Sequence, residues 1–191
     1  MAAVCCLVGA ALFALAGCAS GSSGTASGSA ETSSAVGHGM GAIDQTVTIS
    51  ATAFRTRPKP WVLATPDSAV RSYLDWTSYA YRITESIVAT PTMSAGQEVH
   101  VDSYIQLNLQ KSQLIDQSLE SITFGKPSVE GTHTLVPVKE KWSYRYVSTK
   151  EVGKTIAGPY SASYDSTYTL VKSGKDWIID SVEAKAIGEV K

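Results

Sequence analysis

The amino-acid sequence predicts an α+β domain, with two or three helices first and an antiparallel sheet of about four long strands after them. Apolar residues recur at three- and four-residue spacing between residues 65 and 110, which is the pattern of amphipathic helices. Beyond Lys111 they alternate with polar residues, which is the pattern of strands with one buried face. Because helices must bury their apolar stripes, we expect them to pack on one face of a curved sheet.

Both predicted helices have recognisable starting points. Thr65 is a favourable N-cap residue, and Pro66 suits the first helical position because its missing N–H would have no partner there. The apolar stripe of this helix continues to about Arg82. After Pro91 a second helix is predicted over residues 94–110. Its predicted buried face consists of Val101, Tyr104, Ile105 and Asn108.

Four strands are predicted from the alternation that follows the helices. They cover residues 112–124, 132–149 and 159–172, with a last strand from residue 177. Pro137 has no N–H for a ladder, so it predicts a bulge or a sheet edge near the start of the second strand. The polar residues 151–158 predict a loop, and Gly174 predicts the turn before the last strand.

The beginning of the chain is typical of an export signal. The thirteen residues from Val4 to Ala16 are apolar or small and carry no charge. A membrane-spanning helix needs about 20 such residues, whereas a signal peptide needs fewer. The segment Leu15-Ala16-Gly17-Cys18 resembles the lipobox of bacterial lipoproteins, which implies cleavage after Gly17 and a lipid on the thiol of Cys18. No Lys or Arg precedes the apolar run, which departs from that pattern, and a buried N-terminal helix is the alternative.

Composition divides the chain into four parts. Residues 1–17 are the predicted lipoprotein signal peptide, and residues 18–42 are the lipidated cysteine with a Gly/Ser-rich stretch that predicts a disordered tether. Residues 43–64 form an extended arm, in which the alternation over 46–54 predicts a short strand. Residues 65–191 form the folded domain.

Cysteine usage and charge bear on the compartment and the partners. The chain has three cysteines, Cys5, Cys6 and Cys18, so a chain cleaved before Cys18 has no disulfide and relies on its apolar core. We therefore expect a protein that is lipid-anchored to the cell membrane on its extracytoplasmic face. The net charge is −1 and the basic residues are scattered, so no nucleic-acid partner is predicted.

The end of the chain carries a family resemblance. A tyrosine-rich strand and a short glycine turn precede Lys175-Asp176-Trp177-Ile178-Ile179-Asp180-Ser181-Val182. This segment and the order of elements resemble the NTF2-like superfamily of α+β cones, which includes the SnoaL-like proteins. The envelope context is also similar to that of small domains in actinobacterial lipoproteins. The resemblance implies a cone fold, but the superfamily contains enzymes, transport factors and ligand-binding accessory domains.

Glu140 is the candidate for catalysis. The resemblance implies that an enzyme of this fold places an Asp, His or Tyr inside the cone. The even positions of the predicted strand 132–149 are mostly apolar, and Glu140 lies in the middle of that face. A carboxylate there loses hydration and could serve as an acid or base near neutral pH. The alternative is that a bulge near Pro137 shifts the register, so that Glu140 points outward or pairs with Arg71 or Arg82.

Aromatic residues of two strands form a second candidate site. The predicted ligand-binding residues are Trp142, Tyr144, Tyr164 and Tyr168, with Tyr160 beside them. Such a wall could hold a small apolar ligand. Two alternatives stay open, namely ordinary cross-strand pairing without a ligand, and a sheet face that packs against a second copy of the chain.

The sequence predicts neither a metal site nor a cofactor site. Metal-ligating patterns of His or Cys, a G-x-S-x-G motif and a phosphate-binding loop are all missing from it. His133 could form an acid–base pair with Asp116 or Asp180, although sequence spacing gives no reason for their proximity. His100 is expected near the start of the second helix.

Two functions are compatible with these features. The first is a membrane-anchored envelope lipoprotein whose NTF2-like domain binds a protein partner or a small apolar ligand without catalysis. The second is a SnoaL-like enzyme that performs acid–base chemistry on a hydrophobic substrate inside the cone. The size of the interior around Glu140 distinguishes them, because only a hollow cone admits a substrate.

Overall fold

The computed structural model describes residues 56–187, which form an α+β domain whose helices precede its sheet. The helical elements are α1 (Pro66–Ile83), a 3-10 helix (Ser86–Thr92) and α2 (Ala95–Gln110). The strands are β1 (Gln113–Phe124), β2 (Ser128–Glu130), β3 (His133–Ser148), β4 (Thr155–Ser173) and β5 (Asp176–Ile187). The predicted α+β class and element order are confirmed.

The helix boundaries follow from local chemistry. The Thr65 side chain accepts a hydrogen bond from the Ser68 N–H, and the Ser68 side chain accepts one from the Thr65 N–H, so each residue caps the other. The C-cap residue of this helix is Thr84, which is left-handed with φ 61°. The N-cap residue of α2 is Ser94, whose hydroxyl accepts from the N–H of Gln97.

The buried face of α2 is close to the predicted one. It consists of Gln97, Val101, Ile105 and Asn108, while Tyr104 is half-buried. Among residues 56–187, no helix has the length and apolar character needed to cross a membrane.

The strands form one antiparallel sheet in the order β1-β3-β4-β5, with β2 paired to the first residues of β3. Two strand predictions were incomplete. Strand β2 was not predicted, and β4 begins at Thr155 inside the predicted loop 151–158. The second difference arises because β4 bulges at Gly158 and still pairs on both sides, with Ala157 opposite Tyr146 and Tyr160 opposite Tyr144.

The apolar core lies between the helices and one face of the sheet. That face presents Val136, Val138, Tyr168, Leu170 and Ile179, all at most 2% exposed. Helix α1 covers them with an apolar stripe that includes Ala69, Val70, Tyr73 and Leu74. The opposite sheet face is polar and carries cross-strand ion pairs, such as that between Lys141 Nζ and Glu120 Oε2 at 2.7 Å.

The arm before α1 is held along the helix. The Lys59 carbonyl accepts from Trp76 Nε1 at 3.1 Å, and the Val62 N–H donates to Ser72 Oγ at 2.8 Å. The Leu63 carbonyl then accepts from the Trp177 N–H of β5 at 2.8 Å. The arm is therefore part of the domain from at least Lys59. The predicted strand 46–54, the tether and Cys18 lie outside the described residues.

Gly158 is the glycine whose replacement should cost most. Its φ is +96°, and an added Cβ would lie 3.1 Å from the Arg145 Cα and from the Tyr144 carbonyl oxygen. We expect Gly158→Ala to lower the free energy of unfolding by about 1–3 kcal/mol, measured by urea denaturation. Gly153→Ala is the control, because its φ of +75° is also strained but nothing lies within 4 Å. Equal losses in both variants would show that the close approach to β3 has no role.

Candidate functional site

Glu140 lies on the buried face of β3, as its parity predicts. It is 6% exposed. Its Oε2 accepts a hydrogen bond from Trp142 Nε1 at 2.7 Å, and its Oε1 accepts one from the Tyr168 hydroxyl at 2.6 Å. Both donors are neutral, and both belong to the apolar core. Each carboxylate oxygen therefore already has a hydrogen-bond donor inside the domain.

The outward-facing alternative for Glu140 was wrong. Pro137 leaves the register of β3 intact, because the bulges lie opposite β3, at Leu119/Ser121 of β1, and beyond Tyr144. The even face consequently stays buried from Thr134 to Trp142. The described residues pair Glu140 with Trp142 and Tyr168, and not with Arg71 or Arg82.

Hydrogen bonds and ring contacts connect Glu140 and Tyr168 to the helices. The Tyr73 ring of α1 meets the Tyr168 ring edge-on, with centroids 6.0 Å apart. The Tyr73 hydroxyl accepts from Gln97 Nε2 at 2.7 Å. Burial raises the pKa of Tyr73 to about 12. Burial, and then the charge of Glu140, raise the pKa of Tyr168 well above its ordinary value. Both phenols are therefore neutral hydrogen-bonding groups at physiological pH.

A second group of tyrosines lies farther along the sheet, toward its partly exposed end. The tyrosine cluster consists of Tyr144, Tyr146 and Tyr160, all half-buried. Their ring centroids are 5.4 to 6.4 Å apart. Burial raises the pKa of Tyr144 to about 12. The Tyr144 hydroxyl is buried and has no hydrogen-bond partner within residues 56–187.

Two further tyrosines connect the cluster to the core. The Tyr104 side chain of α2 lies beside that of Tyr146, and the Tyr104 ring lies 5.5 Å from that of Tyr81. The half-buried Tyr164 lies opposite Glu140 in the strand pairing. Burial first, and then neighbouring groups that include Glu140, raise the pKa of Tyr164. Aromatic groups thus continue from the buried carboxylate to the surface.

The predicted aromatic wall divides into two environments. Trp142 and Tyr168 belong to the closed core around Glu140, whereas Tyr144 and Tyr164 are half-buried. The wall prediction omitted Tyr146 and Tyr104. Tyr146 is at an even position of the same predicted strand as Tyr144, so the sequence alone could have placed it in the wall. The contact of Tyr104 with a strand depends on how α2 crosses the sheet, which no local pattern reports.

Of the two acid–base partners considered for His133, Asp180 is the one beside it. His133 Nε2 lies 4.0 Å from Asp180 Oδ2, and both side chains are about 40% exposed. Asp116 instead pairs with Arg145 Nε at 2.9 Å. His100 Nδ1 lies 3.4 Å from Gln97 Oε1. Within residues 56–187, no group of three or more His, Cys, Asp or Glu side chains could hold a metal ion.

A small cavity lies between the end of α1, α2 and the start of β1, and Glu140 is not among its lining residues. Its volume is about 10 Å³, enough for one water molecule. Its lining consists of Tyr81, Thr84, Ile105, Asn108, Gln113, Leu114 and Ile115. A cavity of this size does not admit an organic ligand.

A solved structure shares the fold of this domain. The intermembrane space region of the chloroplast protein ARC6 superposes with a TM-score of 0.54 at 17% identity, and the match covers 68% of this chain and 100% of that region. A periplasmic fragment of TraM gives 0.44 at 6% identity, covering 63% and 98%. A cystatin-like domain of unknown function from Nostoc punctiforme gives 0.38 at 12%, covering 64% and 78%. No protein-family model and no curated protein matches the chain.

Replacing Glu140 should separate hydrogen bonding from charge. Glu140→Leu leaves two buried donors, Trp142 Nε1 and the Tyr168 hydroxyl, without acceptors, so we expect a loss of about 2–5 kcal/mol in the free energy of unfolding. Glu140→Gln should cost less than half of that, because the amide oxygen can accept from Trp142 and the amide N–H can donate to Tyr168. Glu183→Leu, at an exposed carboxylate, is the control. Wild-type stability of Glu140→Leu in urea denaturation would contradict this role.

The buried tyrosines should make the domain sensitive to alkali. Tyr73 has a folded pKa of about 12 against an ordinary 10.0, so the folded chain keeps a proton that the unfolded chain loses. The free energy of unfolding should therefore be unaffected below about pH 10 and fall as the pH rises toward 12. Phenolate absorbance should rise together with the loss of circular dichroism. Complete ionisation in a protein that keeps its native circular dichroism would contradict this account.

Proposed function

We propose that this chain is a lipoprotein of the bacterial cell envelope, anchored by a lipid on Cys18 to the extracytoplasmic face of the membrane. Its folded domain is an NTF2-like cone that binds a protein partner without catalysis. The lipobox-like segment and the Gly/Ser-rich stretch support the anchor. The order of the elements, with helices before one antiparallel sheet, supports the cone.

The tyrosine cluster supports partner binding more than any other observation. It groups three aromatic rings at the surface end of the sheet, next to a closed core. Tyrosine is enriched where proteins bind one another, because its ring is large and rigid and its hydroxyl can hydrogen-bond. The Tyr144 hydroxyl has no hydrogen-bond partner within residues 56–187, so an acceptor supplied by a partner would satisfy it.

The interior is a less favourable place for a ligand. Trp142 and Tyr168 close over Glu140 and occupy both of its oxygens. A general base needs a free lone pair within reach of the substrate proton. Each oxygen of Glu140 still has a lone pair after its one hydrogen bond, but the side chain is 6% exposed, so a substrate would have to displace packed rings to reach it. The same packing counts against the SnoaL-like enzyme and against a small apolar ligand inside the cone.

Metabolic labelling tests the anchor. A palmitate analogue should label the wild-type protein and not Cys18→Ser. The control is Cys5→Ser, which removes a thiol from the segment expected to leave with the signal peptide. Equal labelling of the wild type and Cys18→Ser would refute the anchor.

Site-specific crosslinking in the producing cells tests the binding surface. A photo-reactive phenylalanine analogue at Tyr146 should form an adduct with a discrete protein, whereas the same group at Thr167, on the polar sheet face, should not. An adduct of twice the mass of the chain would identify a second copy as the partner. Adducts of equal yield at both positions, or none at Tyr146, would contradict binding at the cluster.

A further inference from the structure

We infer that the arm is a membrane-contact surface that holds the domain against anionic lipid headgroups. The arm patch consists of Arg57, Lys59, Trp61 and Val62, all exposed. This inference rests on the proposed anchor for its biological setting, because the patch is the first described segment after the predicted tether. The contact itself is a property of the folded chain and can be measured without the lipid.

The apolar half of the patch is exposed but firmly placed. Trp61 is 43% exposed and Val62 is 57% exposed. The Trp61 ring rests edge-on against Trp76, with centroids 5.1 Å apart. Hydrogen bonds from Trp76 to the Lys59 carbonyl and from the Val62 N–H to Ser72 hold the backbone. A contact surface that is already ordered loses little conformational entropy on docking.

The charged half of the patch suits anionic lipid. Arg57 and Lys59 are exposed and take part in none of the ion pairs found within residues 56–187. The bond between Leu63 and Trp177 connects the arm to β5, just after the β4–β5 turn. The exposed Lys172 at the end of β4 and the exposed Lys175 in the turn lie near this connection along the chain, as does the half-buried Asp176.

Local charge, and not net charge, carries this attraction. Residues 56–187 contain 14 Lys or Arg and 14 Asp or Glu residues, so the domain as a whole is neutral. A neutral domain approaches an anionic surface only through a basic patch. Tryptophan is also the side chain that best tolerates the membrane interface, where its ring meets both headgroups and hydrocarbon.

The anchor makes a weak contact sufficient. The Gly/Ser-rich composition of residues 18–42 predicts a tether with a span of about 25–30 Å. A domain on such a tether experiences the membrane at an effective concentration in the millimolar range. A patch with modest affinity for free vesicles would therefore stay docked once Cys18 carries its lipid.

A second basic and apolar surface provides a matched control. The loop between β3 and β4 exposes Val152, at 94%, between Lys150 and Lys154. Lys154 Nζ is already paired with Glu151 Oε1 at 2.8 Å, and the loop carries no aromatic side chain. This loop has two cations, as the arm does. Unlike the arm, it has no tryptophan and lies farther along the chain from the predicted tether.

Vesicle co-sedimentation of the chain from residue 18 onward, carrying Cys18→Ser, tests the inference. It should bind vesicles that contain phosphatidylglycerol and not vesicles of phosphatidylcholine alone. Removing both arm cations, with Arg57→Gln and Lys59→Gln, should lower the partition coefficient about 25-fold, roughly fivefold per cation. Lys150→Gln with Lys154→Gln should change it less than threefold. Equal losses in the two double variants, equal binding to both vesicle types, or no binding would overturn the inference.

Fluorescence quenching provides a second measurement at the tryptophan itself. Phosphatidylglycerol with brominated chains should quench the emission of the bound protein, and Trp61→Phe should remove most of that quenching. Phenylalanine preserves a ring against Trp76, so this variant should keep the fold. Unchanged quenching in Trp61→Phe would place the contact elsewhere. Failure here leaves the labelling of Cys18 unaffected, so the anchor and the contact are tested separately.

Discussion

The burial of the Glu140 carboxylate is the constraint on which the surrounding packing depends. A carboxylate removed from water must find hydrogen-bond donors, and Trp142 and Tyr168 are the two it uses. Trp142 lies two residues along the same strand, but Tyr168 comes from β4, where it faces Val136. A slip of one residue between β3 and β4 would turn the phenol to the polar face and leave Oε1 without its donor. The pair therefore reinforces the register of the two longest strands.

The same constraint brings aromatic rings together around Glu140. Tyr168 donates to Glu140 from within the core, and Tyr73 of α1 meets the Tyr168 ring edge-on. Trp142, Tyr168 and Tyr73 are each at most 7% exposed, so the immediate surroundings of the carboxylate are packed. Farther along the sheet the helices no longer cover every ring, and Tyr144, Tyr146 and Tyr160 pack on one another at the surface. The buried carboxylate and the tyrosine cluster therefore lie in different environments of the same sheet.

Local patterns predicted most of the secondary structure and part of the site. Thr65 is an N-cap as predicted, because capping depends on residues within one turn, and the second helix begins within one residue of its predicted start at residue 94. The burial of Glu140 was predictable from strand parity. Its partner Tyr168 was not, since the two residues are 28 positions apart and meet only through strand register. The start of β4 at Thr155 was missed because Gly158 and Pro159 resemble a loop, although the bulge they form keeps both sides paired.

By itself, the sequence determined the α+β class, the order and approximate limits of the helices and long strands, and the inward parity of Glu140, because each depends on the spacing of neighbouring residues. It also supplied the lipobox-like segment, on which the expectation of an anchor rests. Only the tertiary structure decided that Trp142 and Tyr168 hydrogen-bond to Glu140, that Tyr104 lies beside the strand tyrosines, and that Trp61 stays partly exposed while its ring packs on Trp76. These facts depend on side chains from distant segments competing for the same space, and no local pattern contains that information.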